Sequence, residues 1–125
     1  MSKLAAIAIG AIAVLHSYIA WFEIFAWTSV GPRVFSNFPP DLFEQTKALA
    51  ANQGIYNAFL AVGLFWSLFI RDAKWQRRVS TCFLLFVATA GIFGAITVSP
   101  RIALVQTLPA AIAMALLFLT GKNKR

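Results

Sequence analysis

Residues 79–121 read VSTCFLLFVATAGIFGAITVSPRIALVQTLPAAIAMALLFLTG. Two apolar runs, Val79–Ser99 and Ile102–Gly121, are parted only by Pro100 and Arg101, and neither contains Asp, Glu, Lys or Arg. A helix needs about 20 mostly apolar residues to cross a bilayer, and a strand about 9–11. Runs of this length without alternation read as helices, and so short a turn makes them adjacent and antiparallel. Working outward, Ala48–Ile70 is a third uncharged run, and Leu4–Trp27 is a fourth with a single charge, Glu23. The expected fold is all-α: one transmembrane domain over residues 1–125, a four-helix up-down-up-down bundle with helices at about 4–27, 48–70, 79–99 and 102–121.

Composition agrees. Of 125 residues, 60% are hydrophobic and 12% charged, and mean hydropathy is +0.76. A soluble domain carries about 45–50% apolar and about 25% charged residues. The first run is too long for the apolar region of a cleaved signal, so it is read as a span. Cys82 is the only cysteine, which excludes an intrachain disulfide.

The net charge of +7 would suggest nucleic acid in a soluble protein, but here the basic residues flank the apolar runs. They read as anchors facing anionic headgroups, and nucleic acid is not an expected partner. Lys3, Arg71, Lys74, Arg77, Arg78, Lys122, Lys124 and Arg125 fall on one side, and Arg33, Lys47 and Arg101 on the other. Excess Lys and Arg mark the cytoplasmic face, so both termini are expected inside, in a bacterial inner (plasma) membrane. The longest loop, 28–47, is then outside. It holds Phe35, Phe38, Phe43, Pro39 and Pro40, and Pro40-Asp41 can open a short helix over Leu42–Lys47. Such a loop either packs on the bundle or forms a lid.

The polar residues within the spans carry the functional reading, because an ionisable group in hydrocarbon costs several kcal/mol unless paired or hydrated. His16, Ala20, Glu23 and Trp27 recur at spacings of four, three and four, hence on one helix face, with Tyr18 elsewhere on that helix. Asn52, Gln53, Tyr56 and Asn57 make a stripe in the outer half of helix two. Counting inward from the helix ends puts Asn52 level with Glu23 and Asn57 level with His16. Thr97 and Gln106 lie at comparable depth on helices three and four. Gln106 or Thr97 alone is accounted for by hydrogen bonding between helices. Glu23 and His16 are the candidate proton acceptor and donor, with Asn52, Gln53, Tyr56, Asn57, Gln106, Trp27 and Tyr18 as candidate ligand-binding residues. Two plainer readings stand beside this one: Glu23 snorkelling to the outer headgroups, and His16 as a satisfied core residue. Glu23 and His16 are about 10 Å apart along the helix axis, too far to share one metal ion, so no metal or cofactor is expected. Gly91 and Gly94 mark a close helix contact, as does Gly54.

His16-x-Tyr18-Ile19-x-x-x-Glu23, Asn52-Gln53-Gly54-x-Tyr56-Asn57, Ala90-Gly91-x-x-Gly94 and Gln106-x-x-Pro109-Ala110 resemble the motifs of a family of small four-helix membrane proteins known only as a domain of unknown function, found in bacteria and some fungi. The resemblance covers nearly the whole chain. It implies the fold and the membrane location and brings no activity with it. Three function classes fit the residues: a polar pocket for a small, partly apolar molecule, open to acid–base chemistry; a small proton-coupled transporter acting as a dimer; and an accessory subunit of a membrane complex. The expected partners are membrane lipids, a small apolar or amphipathic ligand and, for the transporter, a second copy of the chain.

Overall fold

The computed structural model describes residues 1–121, and all regular structure among them is helical. In chain order the helices are α1 (Lys3–Phe25), α2 (Trp27–Val34), α3 (Pro40–Gln45), α4 (Lys47–Phe69), α5 (Ala73–Thr97) and, after a wide π turn at Ala103–Thr107, α6 (Leu108–Leu119). Helices α1, α4 and α5 are long and apolar enough to cross a membrane, and Ala103–Leu119 is a shorter apolar helix. Lys122, Lys124 and Arg125, counted in the charge expected on the inner side, lie outside the described residues.

Three helices differ from their expected bounds: the fourth, expected over about 102–121, is the π turn Ala103–Thr107 followed by the 12-residue α6, and the other two differ each for a local reason. The apolar run of the third helix begins at Val79, but α5 begins six residues earlier because Asp72 caps it: its side chain accepts the Trp75 amide at 2.8 Å. Lys74, Arg77 and Arg78 therefore stand on helical turns rather than in a loop. At the other boundary, α1 stops at Phe25 and bends at Ala26 (φ −128°, ψ 12°), and the chain goes straight on into α2. The expected outer loop is thus largely helical. Its second half forms α3 with Pro40 and Asp41 in the first turn, as the sequence signal implies.

The chain packs as two compact units. One comprises Met1–Ala13 with the residues from Val62 onward, the other Val14–Ala61. In the first, small and apolar residues line the seams: Ala5, Ile9, Ile12 and Ala13 on α1, Leu84, Val87 and Ala88 on α5, and Ala110, Ala113 and Leu117 on α6. Gly91 is essential to the approach of the π turn, since a Cβ there would lie 2.8 Å from the Thr107 amide nitrogen. Thr107 Oγ1 also donates to the Ala88 carbonyl at 2.9 Å. Pro109, with no N–H to donate, follows the widened turn at once. The large apolar side chains point outward, with Phe69 80% and Ile96 79% exposed. In water such surfaces mark association sites, whereas lipid solvates them.

Candidate functional site

The second unit contains Glu23. Its α1 and α4 segments meet where Gly54 leaves room: a Cβ on Gly54 would lie 2.6 Å from Ile24 Cγ1, 3.0 Å from the Ala20 carbonyl oxygen and 3.2 Å from Glu23 Cβ. That close approach brings the Glu23 carboxylate against α4. Asn57 Nδ2 donates to Glu23 Oε1 at 2.6 Å and to the Gln53 carbonyl at 3.3 Å. The short distance suits a donor facing an ionised or strongly accepting oxygen.

Helix α4 does supply the partner of Glu23, but it is Asn57 rather than Asn52, Gln53 or Tyr56, and the depth count from Asn52 shifts by five residues, or ~7.5 Å. Glu23 lies two residues from the end of α1 at Phe25, whereas residues 47–53 of α4 continue beyond the Gly54 contact. Asn57 is ten residues from Lys47 and twelve from Phe69, so the carboxyl of Glu23 is level with the middle of α4. His16 is 0% exposed, seven residues earlier on the same face of α1. Asn52 and Gln53 are exposed, as are Tyr56 (56%) and Tyr18 (53%). Gln106 belongs to the other unit, where its Cβ lies over Gly91.

A cluster of rings gathers from the end of α1, from α2 and α3, and from the link between them. Trp27 contacts Phe22, Phe35 and Phe43 with centroids 5.6, 5.8 and 5.4 Å away, and Phe35 stacks on Phe38 at 5.1 Å. Trp27 Nε1 donates to Thr46 Oγ1 at 3.0 Å, and Thr46 in turn donates to the Leu42 carbonyl at 2.7 Å. Thr46 was not among the expected site residues. The signal for it was Trp27 itself, since an indole N–H withdrawn from water needs an acceptor. Chemically, the unit offers a carboxyl with one oxygen held by an amide, able to accept a hydrogen bond or a proton from a ligand. Among the described residues no three His, Cys, Asp or Glu side chains gather to hold a metal.

By fold, this is an all-helical protein with three membrane-length helices and a polar pairing between two of them. The chain belongs to the family of proteins of unknown function DUF1304, matched over residues 10–118. It is similar to the uncharacterized protein YpaA of Lactococcus lactis subsp. lactis (strain IL1403), 31% identical over 91 residues, covering 71% of this chain and 75% of that protein. No solved structure matches it.

Proposed function

We propose that this chain is a four-helix integral protein of a bacterial inner membrane, with both termini in the cytoplasm, and that it binds a small, partly apolar molecule through Glu23. The observation that carries this reading is the Glu23–Asn57 pair, level with the middle of a 23-residue apolar helix. At that depth snorkelling gives no account of the carboxyl, and structural hydrogen bonding does not require a charge. Gln53 and Tyr56 extend a polar path from the outer end of α4 toward the pair, and exposed Phe59 supplies apolar contact beside Tyr56, at the edge of that path. A ligand with an N–H, O–H or cationic head and an apolar body fits this surface. Glu23 is the acting acceptor, and a carboxyl in this position can exchange a proton for a cation or take part in acid–base chemistry. His16, ~10 Å away along the axis, does not reach the same atom and is assigned a supporting place in the core.

The transporter reading draws on a different observation. Asn52, Gln53 and Tyr56 face away from the chain that carries them, where a second copy would cover their polar groups.

The test of the main reading is Glu23→Gln. A Gln side chain still accepts from Asn57 through its oxygen, so the fold should persist with an unchanged melting temperature. Molecules co-extracted with the detergent-purified protein are compared by mass spectrometry. Wild type should retain an amphipathic species that Glu23→Gln loses. Equal retention by both, together with unfolding of Asn57→Ala, would reduce the Glu23–Asn57 pair to structural hydrogen bonding.

Orientation has its own measurement. In a Cys82→Ala background, a cysteine replacing exposed Ser36 should react with an impermeant maleimide added to intact cells. Reaction only after the inner face is opened to the reagent would reverse the topology.

A further inference from the structure

Independently of Glu23, a shallow groove of about 440 Å³ runs between the start of α5 and the end of α6, lined by Arg77, Arg78, Thr81, Cys82, Leu85 and Phe118. Its wall is almost wholly apolar, with the charge at its edge. At one end stand two guanidiniums: Arg77 lies 4.2 Å over the Phe118 ring, and Arg78 lies 5.4 Å from the Trp75 ring. Further along α5 the lining is apolar, and Arg78, Cys82 and Leu85 follow one another at spacings of four and three, on one stripe. Arg78 to Leu85 covers ~10 Å of helix axis.

Among the described residues, no acidic side chain lines the positive end. The nearest acid in sequence, Asp72, is engaged in capping α5. Arg77 Nε is buried and has no acceptor among the described residues. Stacking on Phe118 fixes the Arg77 guanidinium without satisfying its donors. Exposed Trp75 marks this end as interfacial, the depth at which headgroups lie.

We propose that this groove is a binding site for one anionic phospholipid. Its phosphodiester is held by Arg77 and Arg78, and one acyl chain lies along Cys82 and Leu85 against Phe118. Guanidiniums match phosphate oxygens in charge and in donor geometry. An apolar floor continuing from the charged end suits a molecule with a tail better than a free phosphate.

The test is a lipid titration of the full chain in a neutral detergent, read by native mass spectrometry. Phosphatidylglycerol should bind one molecule per chain, and phosphatidylcholine with the same acyl chains should not. Arg78→Gln should weaken phosphatidylglycerol about fivefold. Arg71→Gln, which removes the same charge outside the groove, should change it by less than about twofold. Arg77→Gln also removes packing on Phe118, so exposed Arg78 is the deciding position. Equal binding of phosphatidylcholine, an Arg71→Gln loss as large as that of Arg78→Gln, or displacement by millimolar inorganic phosphate would each overturn the site.

Discussion

Phe43→Ala is expected to cost about 3–5 kcal/mol, the usual range for emptying a well-packed aromatic position. Phe43 is only 2% exposed. Its ring packs on Gly31, where a Cβ would lie 2.7 Å away, and borders Trp27 at 5.4 Å and Phe38 at 6.3 Å. Truncation removes the one ring that joins α3 to both α2 and the Phe35–Phe38 stack. The measurement is thermal unfolding in detergent, together with limited proteolysis across residues 34–46. Cleavage there should accelerate in Phe43→Ala. Trp27→Phe serves as the comparison: it keeps a ring but loses the hydrogen bond to Thr46 and part of the contact with Phe22, Phe35 and Phe43, for about 1–2 kcal/mol. If Phe43→Ala costs no more than Trp27→Phe, the rings are a surface assembly and the segment does not form a packed cap.

That cap also shows where reading the residues succeeds and where it stops. Pro40-Asp41 is a local signal for a helix start, and α3 begins there. Helix α2 has no such signal. It begins after an uncapped bend at Ala26, and the arrangement on either side is made by ring packing that no short window contains. The long apolar runs were legible because hydrophobicity over about 20 residues is a strong signal. Their ends were less so. Asp72 sits outside the apolar run, but its cap on Trp75 adds nearly two turns to α5, and those turns place Arg77 and Arg78 beside Phe118.

The polar residues divide in the same way. Spacing put Glu23 on the face shared with His16 and Ala20, and both of those are buried. Periodicity reports the face of a residue well, because it depends only on the helix. Depth relative to another helix depends on where both helices end, and the partner is Asn57 rather than Asn52, Gln53 or Tyr56. Asn52, Gln53 and Tyr56 share a stripe with Asn57 by sequence, yet they are more exposed than it is. A stripe about 100° wide contains both an edge that meets the neighbouring helix and an edge that does not.

Gly54 tests the link between that contact and the proposed site. Gly54→Val should reduce stability by about 1–3 kcal/mol, because its side chain must displace Ile24 Cγ1 and the Ala20 carbonyl, 2.6 and 3.0 Å from the new Cβ. A backbone oxygen cannot turn aside as a flexible side chain can, so α1 and α4 must separate. Separation lengthens the Asn57–Glu23 hydrogen bond from 2.6 Å, and with it goes the fixed position of the carboxyl. A carboxyl no longer held in place by Asn57 should cost the ligand about tenfold in affinity, the equivalent of roughly one hydrogen bond. Retention of the co-extracted amphipathic molecule should therefore fall in Gly54→Val as it does in Glu23→Gln, although Glu23 itself is intact. Gly10→Ala is the matched control. Its Cβ would meet only Leu68 Cδ1 at 3.8 Å, an ordinary contact, and alanine gains up to about 1 kcal/mol of helix propensity over glycine. It should hold or raise the melting temperature and leave retention unchanged. Should Gly54→Val lose stability but keep full retention, the ligand does not depend on the Glu23–Asn57 pair, and the carboxyl belongs to the packing of α1 on α4 alone.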